Sequence, residues 1–587
     1  MLQRLAGWCY DRRRFVLVLW VVALVGFTVL GKVAGGALVK TFESGGTDSS
    51  RAFTILGQDF QRNGDSGDVV WKSSTGSAVD PSVERAITPL LTKLAKQPHV
   101  VSITSPFDRT NPQAAQLVSH NPTSNIAHAQ IQFDVKAGDV PLNEGAHMRD
   151  LAKAANTKDL QVELGGQMFS SQEPPKSEVI GVIGAMFILL IAFGSLLAMG
   201  LPIGTALVGI GIGLAIVELL AHVLQVPNFA PQVTALIGIG VGIDYALFIV
   251  TRYREDLHDG RTPRDAVVHS VDTSGRAVLF AGCTVVISLL GLFIVGLSFI
   301  RGLATGAALA VLLVMFASVT LLPALLGFSG HAIDKLALKS ARRRTSSTES
   351  GFWVRWAKML QRYPWIALVA GLALLLALAV PALSLRLGSA DAGNDPTSQT
   401  TRRAYDLLSE GFGKGSNGPL LVTARIHDPA DLQTMRQVAS KISALGTGGH
   451  VAQVSPVIPS PHGTAALLSV QPTGSPQDAS TTDLIHHLRG TVIPSALDGS
   501  SIHVYVGGQT AAFSDIADQL GQRLPWFFAA VLGLSFLLLL VVFRSILVPL
   551  KAVIMNLLSI AAAYGFLVAV FQWGWAKSVI GIGKPGP

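Results

Sequence analysis

Cysteine is almost missing from this sequence: Cys9 and Cys283 are the two that occur among 587 residues. Such scarcity leaves no disulfide framework and no thiolate zinc site to consider. Charge is scarce too. Asp, Glu, Lys and Arg make up 14% of the chain against 49% hydrophobic residues, and mean hydropathy is +0.47, too apolar for a single soluble core. No GxxxxGK[ST] phosphate loop is present, the histidines lack metal-ligand spacing, and no nucleophile stands paired with a base in the polar stretches. An enzyme is therefore not expected, nor a cofactor, nor a bound metal. A net charge of +8 could suit nucleic acid, but the basic residues flank apolar runs and form no stripe across a polar segment. Membrane topology accounts for them, and nucleic acid is not an expected partner.

What is abundant is apolar sequence in blocks. Runs at 15–38, 178–198, 201–224, 232–251, 276–298, 302–327, 364–385, 525–543 and 547–571 are each long enough to cross a bilayer as a helix, which satisfies its own backbone in lipid. The expected fold class is a polytopic α-helical membrane protein of about nine spans. The first run follows Arg12, Arg13 and Arg14 but is long and has no small-residue cleavage site, so it reads as a retained helix. Basic residues gather again at Arg252, Arg254, Arg261, Arg264 and Arg276, and at Lys335, Lys339, Arg342, Arg343, Arg344, Arg355, Lys358 and Arg362. These loops and the N-terminus are expected in the cytoplasm. The expected division is 1–38 (N-terminus and first span), 39–175 (polar segment), 176–328 (five-span bundle), 329–362 (basic cytoplasmic linker), 363–386 (seventh span), 387–522 (second polar segment) and 523–587 (last two spans and tail).

The two polar segments carry one pattern twice. In the first, strand-like Asp68 to Lys72, Val100 to Thr104, Ile126 to Val135 and Gln161 to Leu164 alternate with helical Pro81 to Ala95 and Asn143 to Ala155. In the second, Leu420 to Ile426, Val451 to Val454, Ala465 to Val470 and Ile502 to Val506 alternate with Pro429 to Leu445 and Thr482 to Arg489. Both orders are βαββαβ, the ferredoxin-like unit, in domains expected outside the cytoplasm. Short matches recur in the same order: Arg51-Ala52-Phe53 with Arg403-Ala404-Tyr405, Gly165-Gly166-Gln167 with Gly507-Gly508-Gln509, and Phe193-Gly194-Ser195-Leu196 with Phe543-Arg544-Ser545-Ile546. A pseudo-repeat of helix, α+β domain and helix bundle follows.

One acid stands deep inside an apolar run, in Ile237-Gly238-Ile239-Gly240-Val241-Gly242-Ile243-Asp244-Tyr245. A carboxylate at the centre of a bilayer costs roughly 2.5–3.5 kcal/mol by insertion scales, so Asp244 is expected to face the bundle interior and to bind and release protons. Tyr245 can donate a phenolic hydrogen bond, and Gly238, Gly240 and Gly242 allow close helix approach. The plainer alternative is that Asp244 is a polar tie to another helix. Ser288 is either a pathway residue or bonded back to its own helix. Glu218 lies near the outer end of its run, where it can reach interfacial water.

The stretch Gly240 to Val250 with Arg252-Tyr253-Arg254-Glu255, followed by Gly275-Arg276-Ala277-Val278, Ile287-Ser288-Leu289-Leu290-Gly291 and Leu321-Leu322-Pro323-Ala324-Leu325-Leu326, resembles the MMPL transporters of the resistance-nodulation-division (RND) superfamily. The resemblance covers the whole chain and is densest over 237–326. It implies two porter-like domains and proton-driven export of lipids or lipophilic compounds across the plasma (inner) membrane toward the cell envelope. Asp244 and Tyr245 match the family's first Asp-Tyr pair. A second pair is implied in a later helix, beyond a segment resembling Gly581 to Pro587, so the chain reads as truncated near the end of its second half. The implied partners are a lipophilic cargo, membrane lipids, protons, a second polypeptide supplying the missing helices, and further copies in a homo-oligomer. The competing reading is a non-transporting scaffold, lipid-binding partner or inactive remnant.

Overall fold

The computed structural model describes residues 1–36, 38–39, 45–60, 64–108, 110–111, 114–119, 124–136, 142–170, 177–334, 352–497, 499–500, 502–575, 577 and 586. The linker around Arg342 to Arg344, and all of the Gly581 to Pro587 segment except Gly586, lie outside them. In chain order the elements begin with α1 (Leu2–Asp11), α2 (Arg13–Ala34), α3 (Asp48–Asp59), β1 (Ser66–Ser73), α4 (Pro81–Ala95), β2 (Val100–Thr104), β3 (Ile126–Phe133), α5 (Leu142–Ala154) and β4 (Leu160–Gly165). Next come α6 (Ser177–Phe193), α7 (Leu196–Leu220), α8 (Ala230–His258), α9 (Pro263–Gly291), α10 (Ser298–Ser329), α11 (Phe352–Arg362) and α12 (Pro364–Ala379). The rest are α13 (Thr400–Phe412), β5 (Leu420–Arg425), α14 (Pro429–Ala444), β6 (Val451–Val454), β7 (Ile458–Pro459), β8 (Ala465–Pro472), α15 (Ala479–His487), α16 (Ile493–Leu497), β9 (Val504–Gly507), α17 (Gln509–Phe543) and α18 (Leu547–Leu567). Two compact units result: residues 1–42, 174–377 and 523–559 form one, and 43–173, 378–522 and 560–587 the other.

The first unit is a helix bundle whose centre is α7, α8, α9 and α10. Small residues set the spacing, because lipid supplies no hydrophobic drive and close backbone contact must do the work. A side chain at Gly209 would start 2.9 Å from the Val314 backbone, and one at Gly213 would start 3.1 Å from that of Ala310. Around these contacts a core of Ile210, Ile243, Ala246, Ile249, Val314 and Met315 is buried. Against it pack α1 and α2. Ala6 and Cys9 of α1 are sealed from solvent, and burial pushes the Cys9 thiol up to about 11, which leaves it unreactive. Trp20 of α2 donates its indole N–H to Thr320 Oγ1 of α10 at 3.2 Å.

Eight helices among the described residues are long and apolar enough to cross a membrane. The run expected at 178–198 is shorter: α6 has 17 residues, about 26 Å of helix, near the lower limit for a span. It ends because Gly194 turns left-handed at φ 64° and Ser195 then caps α7, accepting the Ala198 N–H at 3.5 Å. At the matching place between α17 and α18, Arg544 holds φ 48°.

The second unit contains two antiparallel sheets of equivalent order, β2-β3-β1-β4 and β6-β8-β5-β9, with the added strand β7 on β8. Each grows from alternating apolar residues: Val69, Trp71, Ala127, Ala129 and Ile131 in one core, and Leu420, Val422, Ala424, Leu468 and Val470 in the other. The sequence suggests a βαββαβ unit in each polar segment. The structure adds that the two sheets exchange a helix. α3, from the first polar segment, lies on β5 and β9 of the second sheet, while α13, from the second, lies on β1 and β4 of the first. Ala52 meets Gly507 and Ala404 meets Gly165, and Leu407 and Leu408 bury against Val70 and Ile126. The Leu164 N–H donates to Thr400 Oγ1 at 2.7 Å.

Among the described residues between the two polar segments, α7, α8, α9, α10 and α12 are long and apolar enough to cross a membrane, and α6 is a shorter apolar helix.

Candidate functional site

Asp244 sits at the middle of α8, a helix of 29 residues. Residues two apart on a helix point about 200° from each other. Gly242 seats α8 against its neighbours: a side chain there would start 2.7 Å from both Ala206 of α7 and Val314 of α10. Gly238 does the same, 2.7 Å from Ile210. Asp244 is therefore carried to the opposite face. It belongs to an exposed stripe with Leu236, Gly240 and Phe248, where Gly240 has no neighbour within 4 Å. The expectation of an interior-facing carboxylate is corrected on this point, and so is the packing role of Gly240. Two of the three glycines seat helices, and the third shares the face of the acid.

Tyr245, one step round the helix, is 6% exposed. It packs beside Gly282 of α9, where an added side chain would start 3.3 Å from its ring and 2.5 Å from the Met315 sulfur. Its hydroxyl is buried and has no hydrogen-bond partner among the described residues. Leaving such a group unpaired costs about 1–3 kcal/mol. The Asp244–Tyr245 step thus joins a carboxylate on an open helix face to a hydroxyl inside the bundle.

Ser288 is not drawn into this site; its hydroxyl donates to the Thr284 carbonyl at 2.9 Å on its own helix. Glu218 is half-buried against α2, its carboxylate 2.9 Å from where a Gly31 side chain would begin. His222, one turn on, meets the Ala34 carbonyl at 2.9 Å. No group of three metal-capable side chains occurs among the described residues.

Two features are not apparent from sequence. Asp256, at the basic end of α8, is 1% exposed and holds His269 at 2.7 Å and Arg261 at 3.6 Å, tying α8 to α9 below the span. In the second unit a cavity of about 670 Å³ is bordered by Arg149, Lys153 and Asn156 of α5 and its end, Glu163 of β4, and Thr400 and Arg403 of α13. Its rim is charged, which suits a polar group better than an acyl chain. The recurrence of Arg403 at the place of Arg51 is the one sequence signal that touches it.

A bundle of glycine-seated spans carrying an acid midway along α8, with two helix-exchanged α+β sheets inserted at equivalent points, defines a two-half porter of the RND type. The chain belongs to the MMPL family, whose model matches residues 41–367 and 392–578. It is 32% identical to membrane protein YdfJ of Bacillus subtilis over the whole chain and 79% of that protein. It is 34% identical to the mycolic acid-containing lipids exporter MmpL11 of Mycolicibacterium smegmatis, matching 67% of this chain and 42% of that one. Heme uptake protein MmpL11 of Mycobacterium tuberculosis is 35% identical over 68% of this chain and 41% of its own length. The chain thus spans about four-fifths of YdfJ but about two-fifths of the MmpL11 relatives. Among solved structures, the hedgehog release protein Disp from water bear shares the fold, with TM-score 0.53 and 12% identity over 98% of this chain and 91% of that one.

Proposed function

We propose that this multi-pass membrane protein uses the proton gradient to export lipids or lipophilic compounds across the inner membrane toward the envelope, with its N-terminus in the cytoplasm. The observation that carries the proposal is the Asp244–Tyr245 step, a titratable carboxylate midway along a span beside a buried hydroxyl left unpaired. Intramembrane acids mark ion pathways by default. Asp244 is the group that takes and releases the proton, Tyr245 relays it into the bundle, and Gly238 and Gly242 allow the helices to shift around it. Export is favoured by the names of relatives such as the trehalose monomycolate exporter MmpL3, 25% identical over 72% of this chain. The name of the M. tuberculosis MmpL11 relative points to uptake instead, so direction must be read separately from coupling. A non-transporting scaffold is the second reading, favoured by the exposure of Asp244.

The test uses the full chain in proteoliposomes, with entrapped pyranine to read proton entry and a fluorescent phospholipid to read cargo movement. Asp244→Asn keeps size and hydrogen bonding but removes titration, and is expected to insert normally while losing both signals. Asp244→Glu should keep part of each. Unchanged proton entry in the Asn variant would show that Asp244 does not carry the proton, and no proton entry in the parent would favour the scaffold.

A further inference from the structure

Helix α11 is not needed to build the span that follows it. α12 with its short continuation, Pro364–Ser384, holds 21 residues, about 31 Å at 1.5 Å per residue, which fills the hydrocarbon core alone. Pro364 opens α12 and has no N–H to extend the ladder of α11, so the helices part at Tyr363. α11 is therefore held at the mouth of the span, outside the hydrocarbon. Its sequence, FWVRWAKMLQR, contains no acid. At 100° per residue, Phe352, Trp356, Met359, Leu360 and Tyr363 fall within an arc of about 100°, and Arg355, Lys358 and Arg362 within an adjoining arc of about 60°. The apolar arc is open: Trp356 is 46% exposed, Met359 45% and Tyr363 48%. Phe352 stacks on Trp356 at 6.2 Å, making one aromatic plate, and the Arg362 guanidinium lies 5.6 Å over the Tyr363 ring.

We propose that α11 lies in the headgroup layer of the leaflet where α12 begins, with its aromatic plate at the acyl boundary, and that Arg355, Lys358 and Arg362 make this seating depend on anionic lipid. The occupant is a lipid surface because the covalent link to α12 keeps that surface within reach, and the three cations face the headgroups while the plate faces the chains. Each cation beside an anionic surface contributes about fivefold to binding, so the three together contribute about 10²-fold. That the leaflet is the cytoplasmic one rests on the orientation proposed above; the dependence on anionic lipid does not.

Hydrogen–deuterium exchange on the full chain, in nanodiscs of phosphatidylcholine alone or mixed with phosphatidylglycerol, reads this without any transport. The amides of α11 are expected to exchange about 10²-fold more slowly in the anionic discs. In a variant combining R355Q, K358Q and R362Q the difference should largely vanish while exchange in neutral discs stays as in the parent. Unchanged exchange across α8 and α10 in that variant shows that the bundle has folded. The proposal is overturned if the parent exchanges alike in both lipids, as it would if another protein covered this face, or if the variant keeps the difference.

Discussion

The two sheets have the same strand order and receive each other's helix, yet their seams are made differently. In the first, Arg403 of α13 forks onto Glu163 at 2.6 and 2.9 Å, and Glu163 is 5% exposed. In the second, the matching Arg51 of α3 lies over the ring of Tyr505 at 5.6 Å, and Tyr505 stands where Glu163 would. There the buried carboxylate appears elsewhere, as Asp515, which accepts the Ser49 hydroxyl at 2.5 Å and pairs with Arg489. Duplication has kept the shape of the seam, alanine on glycine, and left its electrostatics free to move. Shape is the stricter requirement because a helix must approach a strand closely before any charge can pair.

The sharpest test of that contrast is to remove the arginines. Arg403→Met leaves Glu163 buried without its cation and should cost about 3–5 kcal/mol in unfolding of the full chain in detergent. Arg51→Met loses a contact worth about 0.5–1 kcal/mol, so equal losses would erase the distinction. Next come the glycines. A side chain at Gly507 would start 2.4 Å from Ala52, against 3.3 Å between Gly165 and Ala404. Gly507→Ala is expected to cost about 1–3 kcal/mol by overpacking and to be rescued by Ala52→Gly. Gly165→Ala should show a smaller drop in unfolding midpoint. In the helix bundle the comparison is between two left-handed residues. Gly194→Ala should lose about 1–2 kcal/mol, whereas Arg544→Gly should gain at most about 1 kcal/mol, its relief of strain being offset by chain entropy.

The smallest effect is one of pH. Burial raises the Asp48 carboxyl above its ordinary range; Arg489 opposes this, Asp515 adds to it and Arg51 opposes it. A raised folded-state value means that the group's stabilising share is present below the unfolded carboxylate range and is lost as pH rises through the folded value. Asp48→Asn should therefore unfold at a higher temperature than the parent at neutral pH, with the gap narrowing toward acid. A gap that widened toward acid would show that the Arg489 contact outweighs burial.

Much of this architecture is written locally. Helical apolar spacing places α4, and short extended runs bounded by turn residues place β2 and β6, at the very residues the sequence suggests, and an acid within an apolar run singles out Asp244 without any fold. The facing of α8 is not written locally. Gly238, Gly240 and Gly242 are one residue type at one spacing, and what separates them is which side meets Ala206 and Val314, residues of two other helices. The helix exchange is equally hidden, since α3 and α13 have the same pattern whichever sheet receives them. The pairing of Arg403 with Glu163 joins positions 240 apart, beyond any window of local reasoning.

The exchanged helices also set a clock for synthesis. The contact between Ser49 and Asp515 joins residues 466 apart. Ribosomes add roughly 5–20 residues per second, so α3 emerges about 20–90 s before the strands and helix start that will receive it exist. During that interval an amphipathic helix must wait with its apolar side uncovered, and the first sheet must likewise wait for α13. The packing of neither sheet is complete until both polar segments have been made.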